Sequence, residues 1–408
     1  MPRASSSARG PAVTILLAAL VALGPVSTDL YLPSLPGLVD AFATDVAEVQ
    51  LTLSVFLVGL AGGQLVYGPL SDRFGRRPVL LTGLVIYAVA TFACTFATSM
   101  PMLIGARFVQ AVGACAGPVL GRAIVRDVHG REGAARILSY MAAAMALAPA
   151  IGPILGGFLE VRFGWQANFV ALLVYGLAGL AATLVLLPET NAHKDEGATR
   201  PLRIVGNYSA LVRHREFLGY ALCVAFAYSG IFSFISGSSF VLVDVIGLPP
   251  DQYGFCFAAI VVGYISGTVI GGRITRRLGI DRMVALGAAI SIAGAAVLLA
   301  FGWFGPDAGY AGAAAIVLPM MVFMAGTGFV MPNAMAGAIG PFPQMAGSAS
   351  ALLGFLQMGV GAGVGIGVGH LHDGTARPMT TAIALAAVLV LLSHRFLVRP
   401  GPQRAGTA

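Results

Sequence analysis

Charge is what this sequence has least of. Of 408 residues only 10% are Asp, Glu, Lys or Arg, whereas 57% are hydrophobic. A soluble globular domain carries about a quarter charged residues, so a water-soluble fold is excluded. Cysteine is sparse as well: Cys94, Cys115, Cys223 and Cys256 all sit within apolar stretches and form no CxxC pair, which argues against a disulfide or zinc framework. No GxxxxGK[ST] pattern occurs anywhere, so coupling to ATP by this chain is not expected. No cluster of catalytic side chains can be assembled either, and an enzyme is not expected. The net charge of +7 does not point to nucleic acid, because in such an apolar chain Arg and Lys collect in loops on one side of a membrane.

What the sequence has instead is apolar stretches near 20 residues long, the length that crosses a bilayer core. Dividing them at charges and at Pro/Gly clusters predicts spans over 12–36, 48–70, 78–98, 101–124, 135–159, 166–187, 217–242, 252–275, 282–303, 310–333, 345–369 and 378–397. The first, preceded by Arg3 and Arg9, superficially resembles a signal peptide. However, Asp29 and three prolines follow where a cleavage site would stand, so a retained helix is expected. The fold expected is an all-α membrane protein of twelve helices in two six-helix bundles. The domains are an N-terminal tail (1–11), a first bundle (12–187), a polar central loop (188–216), a second bundle (217–397) and a C-terminal tail (398–408).

Basic residues set the predicted orientation. With the N-terminus in the cytoplasm, the cytoplasmic loops hold Arg73, Arg76, Arg77, Arg126, Arg131, Arg136, Arg273, Arg276, Arg277 and Arg282, joined by Lys194, Arg395 and Arg399. The other side holds Arg162, Arg377 and acids such as Asp40, Asp45, Glu48, Asp244 and Asp307. Both termini are therefore expected inside.

The halves echo each other. Gly68-Pro-Leu-Ser-Asp72-Arg73-Phe-Gly75-Arg76-Arg77 follows the second span, and Gly271-Gly-Arg273-Ile-Thr-Arg276-Arg277-Leu-Gly279 follows the eighth. Small-xxx-small rows recur at equivalent spans: Gly59/Gly63 and Gly263/Gly267/Gly271, then Gly152/Gly156 and Gly359/Gly363/Gly367 beside Gly361/Gly365/Gly369. Such rows permit close helix contact and sliding, and the last two suggest a helix approached on both sides. Two six-helix repeats with a substrate path between them is a common transporter plan.

Three segments carry chemistry. The loop Gly68–Arg77 combines turn glycines, one acid and three arginines. The first helix contains Asp29, the one clear acid at membrane depth, which at that depth is a functional candidate by default. Its expected partner is Arg107: Asp29 lies ~10 Å and Arg107 ~9 Å below the same predicted membrane face. A guanidinium favours the charged carboxylate while burial disfavours it, and a site balanced between the two can load and release a proton. The fifth helix carries Pro149-Ala-Ile-Gly152-Pro153-Ile-Leu-Gly156-Gly157, whose prolines remove backbone donors while its glycines admit a neighbour. Polar or aromatic groups at depth, Tyr31, Gln110, Tyr228, Phe232, Phe234, Asn333 and Gln357, are candidates for binding substrate. His370-Leu-His372-Asp373 is short and solvent-facing, and no metal is expected there.

The Gly68–Arg77 loop resembles the signature loop of the major facilitator superfamily, which implies a latch of Asp72 and Arg76 with Asp127 as a further partner. The GP-x-x-GG core of the fifth helix resembles the antiporter signature of drug exporters, with Ser139 and Ala148 standing where that pattern has glycine. The run Thr28-Asp29-Leu30-Tyr31-Leu32-Pro33-Ser34-Leu35-Pro36, together with Gly121-Arg122-Ala-Ile-Val-Arg126-Asp127, resembles the Bcr/CflA-type drug:proton antiporters. The resemblance implies a monomeric exporter of the bacterial inner membrane, driven by protons as the coupling ion and needing no other cofactor. Small amphipathic compounds, neutral or monocationic and amphenicol-like, would be its substrates, and the lipid bilayer its surroundings. An importer or uniporter of a metabolite on the same fold, and a non-transporting membrane sensor or enzyme, are the alternatives.

Overall fold

A computed structural model describes residues 11–191, 194–305 and 309–398. The N-terminal tail through residue 10 with Arg3 and Arg9, the C-terminal tail from Arg399 and the acid Asp307 lie outside these residues, as do the side chains of Arg131, Arg136 and Ser139.

The described chain is almost entirely helical. The first half contains α1 (Pro11–Asp29), α2 (Leu35–Phe42), α3 (Val46–Phe74), α4 (Arg76–Thr95), α5 (Met100–Ala114), α6 (Ala116–Phe163) and α7 (Gln166–Leu186). A connecting helix α8 (Pro201–Arg213) follows, and the second half contains α9 (Arg215–Ser239), α10 (Pro250–Leu278), α11 (Ile280–Phe304), α12 (Gly309–Ile339), α13 (Ala346–His370) and α14 (Arg377–Leu397). Among the described residues twelve segments are long and apolar enough to cross a membrane, which agrees with the twelve spans expected.

Local details depart from the sequence reading where backbone geometry matters. The first span runs to Phe42 and is interrupted: α1 stops at Asp29, a single 3-10 turn covers Leu32–Ser34, and α2 resumes at Leu35. Pro33 and Pro36 cause this, since neither has an N–H to donate back to a regular helix. The predicted loop between the fourth and fifth spans, 125–134, is helical throughout, and no proline interrupts it. Within the polar central segment, 201–213 folds as α8 where a loop was expected.

The two halves repeat in detail. The second and eighth spans, α3 and α10, are both 29 residues long. Each ends at a glycine with positive φ, Gly75 at 108° and Gly279 at 79°, a backbone that favours glycine, and the next helix starts at once. The halves pack on each other through α3 with α13 and α6 with α10. Under a six-plus-six repeat the second span maps on the eighth and the eleventh on the fifth, so these are one contact made twice.

Candidate functional site

The break in the first span exposes main chain, and α6 exploits it. A side chain at Gly156 would strike the Leu30 carbonyl oxygen, and one at Gly152 would lie 3.0 Å from the Asp29 Cβ. On its other face α6 meets the second half. A Cβ at Gly157 would lie 3.0 Å from the Asp251 Cα, and one at Gly254 of α10 would lie 2.5 Å from the Ile154 Cα. The GP-x-x-GG core therefore sits between the main chain that carries Asp29 and the opposite half. Pro149 and Pro153 both lie inside α6.

Asp29 is 3% exposed and makes no salt bridge among the described residues. Its Cβ lies against Gly152 of α6, the helix that packs on α10 of the second half. The expected Asp29–Arg107 pair is not formed. Arg107, fully buried, donates to the Ser27 carbonyl at 3.0 Å and to the Gln110 side-chain oxygen at 2.6 Å, and Gln110 in turn donates to Thr91 at 2.8 Å. Its guanidinium lies over three rings, Phe56 at 4.2 Å, Tyr31 at 4.9 Å and Phe169 at 5.9 Å. Shared depth was legible; the direction of each side chain was not. The aromatic faces replace the carboxylate as the partner of the cation.

The arginine-rich loop forms the cluster expected of it. Arg76 bonds Asp72 at 2.6 Å and Asp127 at 3.0 Å, tying the end of α3 and the start of α4 to the body of α6. Sequence reasoning missed a further member, Glu189, whose carboxylate accepts the backbone N–H of Arg76 at 2.9 Å and of Arg77 at 3.2 Å. An acid at a helix N-terminus satisfies free donors and complements the helix dipole. Nothing in the sequence set it apart, since Asp195, Glu196 and Glu216 share the central segment with it. Arg73 donates to Thr199 at 2.6 Å and Arg77 to the Leu184 carbonyl at 2.9 Å.

At this arginine-rich face the halves part around a cavity of about 380 Å³. Gly68, Asp72, Arg76, Arg122 and Asp127 line one side and Asn207, Tyr208 and Ser348 the other. Towards the opposite face the halves touch. Ser236 of α9 donates to the Gln50 side-chain oxygen of α3 at 2.9 Å, and Gly369, Gly365 and Gly361 of α13 pack on Gln50, Ser54 and Leu57.

The proposed substrate residues are scattered in role. Tyr31 and Gln110 are locked around Arg107. Phe234 packs on Phe257 at 5.8 Å, and Asn333 is held by Thr275 at 3.1 Å and the Phe329 carbonyl at 2.8 Å. Phe232 is buried and stacks on Tyr228 at 6.3 Å; Tyr228 and Gln357 are half-buried. None of the seven lines the cavity at the arginine-rich face. A second acid near membrane depth, Glu160 of α6, accepts from the buried Ser34, which also receives the Asn168 amide at 2.7 Å.

A family model described as Major Facilitator Superfamily matches residues 16–366. The chain belongs to this superfamily. Among its relatives, the bicyclomycin resistance protein homolog of Haemophilus influenzae is 32% identical over 94% of this chain and 95% of its own length. The chloramphenicol resistance protein of Pseudomonas aeruginosa is 32% identical over 84% and 80% respectively. In structure the chain is similar to a D-xylose-proton symporter, with TM-score 0.73 and 15% identity over 95% of this chain and 98% of that one, which supports the shared fold. This superfamily member is a multi-pass membrane transporter, not an enzyme, with relatives named for drug resistance.

Proposed function

We propose that this transporter exports small amphipathic compounds in exchange for protons, by alternating access, as a monomer in the bacterial inner membrane with both termini and the arginine-rich face in the cytoplasm. The observation that carries the reading is Asp29: a buried carboxylate without a salt bridge among the described residues, at a break in its helix and packed against α6 glycines whose neighbours meet α10 of the second half. Burying the ionised form is costly without a partner, so protonation favours the occluded site and exposure to water favours release. Closing one face while opening the other would carry the proton across as the halves rock. In the assigned orientation the cavity opens to the cytoplasm, and the Asp72–Arg76–Asp127 cluster would hold the opposite, outward-open state together with the second half. A lone buried carboxylate at the helix break would suit neutral or monocationic substrates better than dications, and a relative named for chloramphenicol resistance makes amphenicols the first candidates.

The test uses inside-out membrane vesicles energised to an acid interior, with a pH-sensitive dye and a panel of amphenicols and other amphipathic compounds. Proton release with the native chain and none with Asp29→Asn is expected. Equal release by both would remove Asp29 from coupling, and substrate accumulation that leaves the proton gradient untouched would favour uniport.

A further inference from the structure

The segment from Arg200 to Arg215 contains four arginines, Arg200, Arg203, Arg213 and Arg215, and no acid. Most of it is α8, thirteen residues or ~20 Å long, too short to span a bilayer. One face of α8 is used inside the protein: Leu211 is fully buried, and Ile204, Asn207 and Tyr208 line the cavity. The other face is apolar and bare, with Leu202 90%, Val205 63% and Val212 45% exposed. Arg200 and Arg213 are exposed at its two ends, and Arg215, exposed at the start of α9, donates to the Phe396 carbonyl. Only His214 separates α8 from α9, the first span of the second half, so the bare face lies where the chain enters the membrane.

We propose that α8 is an interfacial helix that docks its Leu202–Val205–Val212 face onto the bilayer, with the arginines on the phosphates of anionic phospholipids. A short helix with an apolar face flanked by cations, next to a membrane-crossing segment, has its complement in an anionic lipid surface. An aqueous setting would leave Leu202 almost wholly in water. Because the inward face of α8 is a wall of the cavity, lipid docking fixes that wall. Amphipathic compounds dissolved in the same leaflet then meet the cavity at its rim. The inference needs no assumption about transport direction or proton coupling.

Hydrogen exchange of the native full-length chain tests it, in nanodiscs of phosphatidylcholine alone or with phosphatidylglycerol. Amides of α8 exchange roughly tenfold more slowly in the anionic discs if the arginines engage phosphate. In Leu202→Asp/Val205→Asp the slowing disappears, while α9 and α13 exchange as in the native chain, showing that the bundle is intact. In Arg200→Gln/Arg213→Gln the difference between the two lipids shrinks. Equal exchange of native α8 in both lipids would overturn the proposal, as would full slowing in the Asp variant. Slowing that depends on the number of protein copies per disc would do so too, since it would assign the face to a second copy.

Discussion

Arg107 bonds the main-chain oxygen of Ser27, at 3.0 Å, and leaves the carboxylate of Asp29, two residues further on, without a salt bridge among the described residues. The cation and the acid thus share a helix break without sharing a bond. With no bond between them, protonation of Asp29 reaches Arg107 through the field of its charge, through the main chain of 27–29 or through a change of conformation.

That geometry separates stability from transport at Arg107. Its Nε and second terminal nitrogen are buried without hydrogen-bond partners. A buried charge so placed can cost the fold more than an apolar residue of similar shape would. Arg107→Met is therefore expected to keep or raise the thermal midpoint in detergent while reducing transport at least tenfold. A lowered midpoint would show that the three-ring stack stabilises the fold.

The contact between the halves away from the cavity contains polar groups that closure leaves unpaired, among them Ser54 Oγ and Gln50 Nε2. Each unmet buried group costs roughly 1–3 kcal/mol, which water would relieve on opening. Ser54→Ala should make that face harder to open and slow turnover. Spin-label distances across α3 and α13 would register the shift as a larger closed population.

Glycines fall into two classes that a substitution series can distinguish. Gly254→Leu would drive side-chain atoms into the α6 main chain and should prevent α6 and α10 from closing, with loss of transport. Nothing lies within 4 Å of a Cβ built at Gly359, Gly363 or Gly367, so this row of α13 is not the close-packed seam that its spacing suggested. Gly363→Ala should therefore be tolerated and stabilise α13 by up to about 1 kcal/mol through helix propensity.

Glu189→Gln keeps a hydrogen-bond acceptor at the start of α4 but removes the charge that complements its dipole. A loss of about 0.5–1 kcal/mol is expected, read as a lower thermal midpoint. Glu189→Ala, which also leaves the Arg76 and Arg77 amides without this partner, should cost about 1–2 kcal/mol. An unchanged midpoint in both would show that the bridge from the central segment to α4 contributes nothing.

The sequence by itself determined the class, the number of spans and the two-fold repeat, which rest on hydropathy and on spacing along one chain, both local or additive. The pairing of Arg76 with Asp72 and with the distant Asp127 came from the family resemblance instead. The sequence also located Asp29 and Arg107 at one depth, because depth follows from rise per residue. Only the tertiary structure decided which way those side chains point, since rotation about a helix axis is set by neighbours distant in sequence. The same holds for the two glycine rows of α13, identical in pattern, of which one meets Gln50, Ser54 and Leu57 and the other meets nothing. It holds again for α8, whose inward face became a cavity wall only when α13 was placed beside it.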